Sequence, residues 1–409
     1  MLELNQNILP EVLSGIEEMT ALRRDLHAHP ELGFCEVRTA GIAARILREI
    51  GCDAVEEGVG KTGVVALIRG GARSSGQPLS IALRADMDAL PLEEKTGLPW
   101  ASVLPNRMHG CGHDGHVAGL LLAASALVKR REHLKGDVVI VIQPGEEGYA
   151  GARAMIEDGL FERFPTTEIY GIHAAGELPL GVLGFTRGPS SAAADRFLIT
   201  VKGVGGHGAR PHKTVDPIVA SGLLISALQT VVSRSVDPMQ PAVLTIGSIH
   251  GGDPEGVSVV PAEVVLAGTT RCARPEDRDT IEARMGEICS GIAATTGADI
   301  DFRYTRMYPP LVNHDEQYAF ASNLARELYG EARVNANHPA SMGAEDFSFF
   351  LEKRPGCFVR MGIADDSHRA NHHHPCFDYN DLALGPTADF FVRLVEARLA
   401  ALVRQRSEG

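Results

Sequence analysis

No segment of this 409-residue sequence concentrates Lys and Arg on one face, and the 39 basic residues are outnumbered by 52 acidic ones, for a formal net charge of −13. Such a balance repels phosphate backbones and anionic headgroups, so neither nucleic acid nor a membrane surface is an expected partner. Long apolar runs are also missing. The longest, Ala118–Val128, holds 11 residues and includes Ser125, whereas a bilayer span takes roughly 20. Cysteine is sparse and unpatterned: seven residues, at 35, 52, 111, 272, 289, 357 and 376, form no CxxC pair. An odd, scattered set argues against a disulfide framework and for reduced thiols, most of them core filler. The opening MLELNQNILPEVLSG has neither a basic start nor an apolar stretch. No secretory signal is therefore expected, and the cytoplasm is the expected compartment.

What is present is a soluble globular composition, 44% apolar, of a length that suits two domains. Helical periodicity over 12–26, 39–50 and 115–131 alternates with short apolar strands at 64–68, 80–83, 138–142 and 169–172. That alternation predicts an α/β domain with a mainly parallel sheet between helices. The pattern changes after Gly188-Pro189. Strands at 196–201, 243–250, 263–271 and 299–304 are interleaved with helices at 216–232 and 275–296, a β-α-β-β-α-β order. This predicts an inserted α+β ferredoxin-like domain over 188–304, flanked by the two parts, 1–187 and 305–409, of the α/β domain.

In open α/β sheets, ligands gather at the carboxyl ends of strands. Four clusters fall there: Arg84-Ala85-Asp86-Met87-Asp88, Cys111-Gly112-His113-Asp114, Gln143-Pro144-Gly145-Glu146-Glu147, and His173. Thiolate, imidazole and carboxylate together suit zinc, manganese, cobalt or nickel rather than calcium or magnesium. Cys111 is read as a metal ligand or a packing thiol; as a nucleophile it lacks a separate base and orienting group. Adjacent acids divide catalytic labour when one ligates and the other moves a proton, although a solvated Glu pair looks the same in isolation. His173 is equally readable as a core histidine. In the second domain, the Gly-rich run 205–212 either presents His207 to a ligand or makes a plain turn. Arg271 ends a strand, suited to carboxylate capture or to a solvated edge. The consecutive His372, His373 and His374 precede Pro375, as a ligand source or a surface tract.

Together the motifs RRDLHAHPELGF, ALRADMDALPLEEKTGLPW, MHGCGHDGH, QPGEEGYAGARAMIEDGL, GIHAAGELPLG, GGHGARPHKTVDPI, GTTR, MGAEDFSFF and HHHPCFDYND cover nearly the whole chain. They resemble the metal-dependent aminoacylase and carboxypeptidase superfamily, in particular its hippurate hydrolase and indole-acetyl-amino-acid hydrolase branch. The resemblance implies a zinc-peptidase-like catalytic domain holding two divalent ions and a smaller lid domain that often mediates dimerisation. It places metal ligands on Cys111, His113, Glu147, His173 and His373, with His374 as fallback, and a bridging role on Cys111. It places the general base on Glu146, a substrate-site role on His207 and a substrate-carboxylate contact on Arg271. The implied activity is hydrolysis of N-acyl-amino acids, by a homodimer or dimer-based homo-oligomer. A dipeptidase or carboxypeptidase using the same centre, and a non-catalytic amino-acid binding protein, are the alternatives. Two positions depart from the pattern, Ser258 where relatives usually carry Asn and Ala174 where they usually carry Pro.

Overall fold

The structure is a computed structural model that describes residues 7–73 and 79–408. It divides into two compact units, one of 1–188, 312–339 and 349–409, the other of 189–311 and 340–348. Residues 305–311 and 340–348 thus join the second unit, although the sequence reading ends that domain at 304 and assigns both segments to the flanking α/β domain.

The first unit is built on one eight-stranded sheet in the order Ala54–Val59, Gly63–Ile68, Asp137–Gln143, Ser80–Asp86, Glu168–Pro179, Gly356–Ala364, Leu183–Phe185, Val334–Asn335. Its centre is parallel: Ser80–Asp86 pairs in parallel with Asp137–Gln143 and with Glu168–Pro179, which pairs in parallel with Gly356–Ala364. The flanks are partly antiparallel, as at Gly63–Ile68 against Asp137–Gln143. Every residue of Ser80–Asp86 and of Asp137–Gln143 is buried, so side chains on both faces are covered. That is why these strands read as near-continuous apolar runs rather than as alternation. The helix His113–Lys129 is buried nearly all round and contacts the helices Ile16–Ala28, Val37–Glu49 and Leu384–Glu408. A helix in that position has no polar face to show, which accounts for the Leu- and Ala-rich stretch in its middle.

The second unit has a four-stranded sheet in the order Ala242–Gly251, Glu263–Cys272, Ala193–Lys202, Asp299–Tyr308, antiparallel throughout. Its helices, Pro217–Thr230 and Pro275–Thr296, cover one face. Phe197, Ile199, Val201, Leu224, Val264, Leu266, Ile281 and Met285 form its own core. Burial alternates along Ala193–Lys202, as a half-covered sheet requires. Asp216 caps the first helix, its side chain accepting from the Ile218 and Val219 N–H groups at 2.8 and 3.3 Å. This helix continues through a π-turn, Val231–Ser235. By length and composition the stretch Pro217–Ser235 is apolar enough to cross a membrane, with a mean hydropathy of 1.4. In the fold its inner face packs on the sheet, while Ile218, Val219 and Leu223 remain exposed.

Candidate metal centre

Two strand ends, the middle of a third strand, a helix start and one loop of the first unit bring the chemistry together. The helix His113–Lys129 starts after Gly112, whose φ of 86° lies in the left-handed region open to glycine. That turn brings the Cys111 thiol and the His113 ring into one donor cluster. Past the strand Asp137–Gln143 the chain turns through Gly145, φ 57°, into Glu146 and Glu147. Both carboxylate oxygens of Asp88 hold this turn, accepting from the Glu146 N–H at 3.0 Å and the Glu147 N–H at 2.9 Å. The Asp88 carbonyl also faces His113 Nδ1 at 2.8 Å. Since a carbonyl only accepts, Nδ1 carries a proton, and Nε2 is the nitrogen that offers a lone pair once the ring is neutral. That Nε2 is buried with no hydrogen-bond partner.

The donor atoms converge in overlapping groups, each within 4.8 Å: Cys111, Glu147 and His373; His113, Glu146 and Glu147; Asp86, His113, His116 and His173. Cys111 Sγ lies 3.5 Å from His173 Nε2, which joins the first group to the third. His373 Nε2 meets Glu147 Oε1 at 3.1 Å, and the His373 N–H donates to the Gly110 carbonyl at 2.8 Å. This pins the C-terminal loop beside Cys111, at the cost of a left-handed φ of 63° at His373. His374 serves the turn instead, its Nδ1 accepting from the Cys376 N–H at 3.0 Å. All six residues predicted from the sequence for this centre, Cys111, His113, Glu146, Glu147, His173 and His373, are therefore in one place. Asp86, Asp88 and His116 also belong there and were not assigned roles from the sequence. Their signal lay in motifs already picked out, at a strand end and in MHGCGHDGH.

Burial, reinforced by the Glu147 carboxylate, pushes the Cys111 thiol up. Hydrogen bonds to Cys111 and Glu147 raise His373 to about 10. Against the effect of burial, Asp86 holds His113 well above its ordinary value, while burial and the neighbouring His116 hold His173 well below. The protein alone thus answers the negative charge here with protons on Cys111, His113 and His373. A cation would replace those protons, since thiolate, neutral imidazole and carboxylate are the ligating forms. The orphaned His113 Nε2 and the mixed S, N and O donors fit a borderline divalent ion.

In the second unit, His207 lies on the two-residue strand Gly206–His207, paired with Val259–Val260, and is exposed. Its Nδ1 accepts from the Ala209 N–H at 3.1 Å, which leaves Nε2 facing outward as a donor. The Ser258 carbonyl holds the same loop through the Gly208 N–H at 2.7 Å. Arg271 sits opposite Val243 and Ala194, half-buried, with no ion pair among the described residues. Burial lowers its pKa, with Asp195 opposing and Arg196 adding to the effect.

Residues 82–397 match the model of peptidase family M20/M25/M40. The chain is 39% identical over 391 residues to hippurate hydrolase of Campylobacter jejuni, covering 95% of this chain and 98% of that protein. It is 40% identical over 373 residues to N-acetylcysteine deacetylase of Bacillus subtilis, covering 91% and 94%. Among solved structures, a dinuclear metal-binding M20 peptidase of Bacillus subtilis superposes with a TM-score of 0.81 at 35% identity, covering 95% and 99%.

Proposed function

Because the chain belongs to peptidase family M20/M25/M40 and to its hippurate and indole-acetyl-amino-acid hydrolase branch, we propose that it hydrolyses the amide bond of N-acyl-amino acids, releasing a carboxylic acid and a free amino acid. The observation that carries this reading is the Glu146-Glu147 turn, locked by Asp88 in one donor group with His113. Cys111, His113, Glu147, His173 and His373 would hold two divalent ions, with manganese, zinc, cobalt and nickel all compatible with the donors. When bound, the ions supply charge that acidifies water and stabilises the oxyanion of the attacked carbonyl.

Glu146 is the general base in this reading. Its carboxylate takes the proton of the attacking water, and as the C–N bond breaks it delivers that proton to the amide nitrogen, which leaves as an amine. Asp88 keeps the two glutamates in distinct roles by fixing both of their N–H groups. The second unit acts as a lid, with Arg271 binding the substrate carboxylate and His207 donating to the carbonyl oxygen. A homodimer is part of the same reading. The strand Ala242–Gly251 is a sheet edge with Val243 and Ile249 exposed, beside a helix exposing Ile218, Val219 and Leu223. Seven cysteines with no disulfide suit a reducing compartment, the cytoplasm.

The test is a hydrolysis panel of N-acetyl, N-benzoyl and unblocked dipeptide substrates, run with protein loaded separately with each of the four metals. Turnover should be confined to blocked substrates, and Glu146→Gln should lower kcat by roughly 10²–10⁴-fold with metal content unchanged. A Gln variant that binds metal and keeps most of its turnover would remove Glu146 from the mechanism. Preference for unblocked dipeptides would instead make the protein a dipeptidase.

A further inference from the structure

The third histidine of MHGCGHDGH is left without a task by the mechanism above. His116 is buried, 4% exposed, and its donor atoms share the 4.8 Å group of Asp86, His113 and His173. Proximity suggests a ligand, but the hydrogen bonds forbid it. Its Nε2 faces the Ala174 N–H at 2.8 Å, and a backbone N–H only donates. Nε2 is therefore the unprotonated nitrogen, already used as an acceptor. Nδ1 carries the proton and donates to Asp86 Oδ1 at 2.5 Å. No lone pair remains for a cation.

The Ala174 peptide is held from both sides. Its N–H goes to His116, and its carbonyl accepts from His173 Nδ1 at 2.7 Å. Fixing that peptide fixes the tautomer and direction of the His173 ring, which leaves Nε2 free 3.5 Å from Cys111 Sγ. The far end of the chain of contacts is anchored as well. Asp86 Oδ2 accepts from Arg84 Nη1 at 2.7 Å, and Arg84 Nε donates to Gln143 Oε1 at 2.7 Å. Gln143 closes the strand that leads into the Glu146-Glu147 turn. Two strand ends and the middle of a third strand are thus tied together by one buried relay.

We propose that His116 is a positioning residue of the metal centre: as a neutral Nδ1–H imidazole it sets His173 for ligation through the Ala174 peptide, without itself touching an ion. The inference rests on the dimetal reading given above. Partners that orient a ligating histidine change metal affinity by roughly 10–100-fold when they are lost. The proposal further requires the loss to fall on the His173 side of the centre and to leave the Cys111–Glu147–His373 side intact.

The experiment compares the full-length wild type with His116→Leu, which removes the acceptor, and His116→Gln, whose side-chain oxygen can replace it. Metal content after dialysis, cobalt affinity by chelator competition and the cobalt–thiolate absorption band are read alongside apoprotein unfolding. Leu should weaken one of two cobalt equivalents by roughly 10–100-fold while keeping the thiolate band, and Gln should restore most of that affinity. Two tight equivalents in His116→Leu would overturn the proposal, and so would a folded Gln variant as weak as Leu. Should the Leu variant fail to fold, nitrogen-15 NMR of wild-type histidines decides: an Nδ1–H tautomer for His116 supports the assignment, an Nε2–H tautomer overturns it. Wild type that binds two ions yet hydrolyses no N-acyl-amino acid would refute the proposed function and leave this inference standing. Wild type that binds no metal would end both.

Discussion

At the scale of single residues, the CGHD motif divides its work between two buried environments. His113 turns to the donor cluster, and Asp114 turns away from it, into an ion-pair network. Asp114 lies 3.0 Å from Arg23 Nε and 2.8 Å from His27 Nδ1, while His27 Nε2 lies 3.3 Å from Glu94. Burial opposes a charge on His27, but Asp114 outweighs it and lifts the pKa to about 9 from an ordinary 6.5. A raised pKa means that protonation favours the folded state. The stabilisation is fully present below 6.5 and is lost as pH rises through about 9, a span corresponding to about 3 kcal/mol. Unfolding midpoints followed between about pH 6 and about pH 10 should therefore fall more steeply for wild type than for His27→Gln. Parallel curves would show that His27 stays neutral. The proposed ligands stood out in the sequence because Cys, His and Glu gathered beside the strands of one sheet have few other uses together. The relay through His116 did not, because its partner is a backbone N–H of a residue far along the chain, which no side-chain spacing records.

At the scale of elements, the Glu146-Glu147 turn depends on close backbone packing behind it. A Cβ on Gly151 would lie 1.6 Å from the Pro144 carbonyl oxygen, and the Gly151 N–H donates to the Gly145 carbonyl at 3.0 Å. Backbone cannot yield as a flexible side chain does, so Gly151→Ala must displace the turn that presents both acids. The expected outcome is a drop in kcat of at least roughly 10²-fold, the effect of misplacing reacting groups by about 1 Å, with a lowered Tm. Wild-type kcat in that variant would show the turn to be adaptable. Helices were legible to within a few residues where caps mark them, as with Asp216 and with Gly297, whose φ is 76°. Strands buried on both faces were equally plain. The edge strand Ala54–Val59 was not, since AVEEGV carries two acids and a glycine. Those features protect a sheet edge from pairing and erase the period-two signal along with it.

At the scale of the whole molecule, the chain leaves one compact unit at 188 and re-enters it at 312. The change from parallel to antiparallel patterning made the insertion readable. The return of 340–348 to the second unit carried no such mark, because a short segment without regular periodicity reads the same in either unit. The exposed apolar residues of the second unit give the proposed dimer a direct test. Leu223→Asp combined with Ile249→Lys places charges on the helix and edge strand, and sedimentation should shift from dimer to monomer with the second unit still folded. An unchanged dimer would place the interface elsewhere. The pinning of His373 to Gly110 has a consequence for synthesis. His373 follows Glu147 by 226 residues, so the ribosome produces four of the five proposed ligands long before the fifth. A chain that ends before His373 holds an incomplete set and cannot close the Cys111–Glu147–His373 group. In the proposed assignment, capture of a second ion would thereby be a late event that distinguishes chains carrying His373 from shorter fragments.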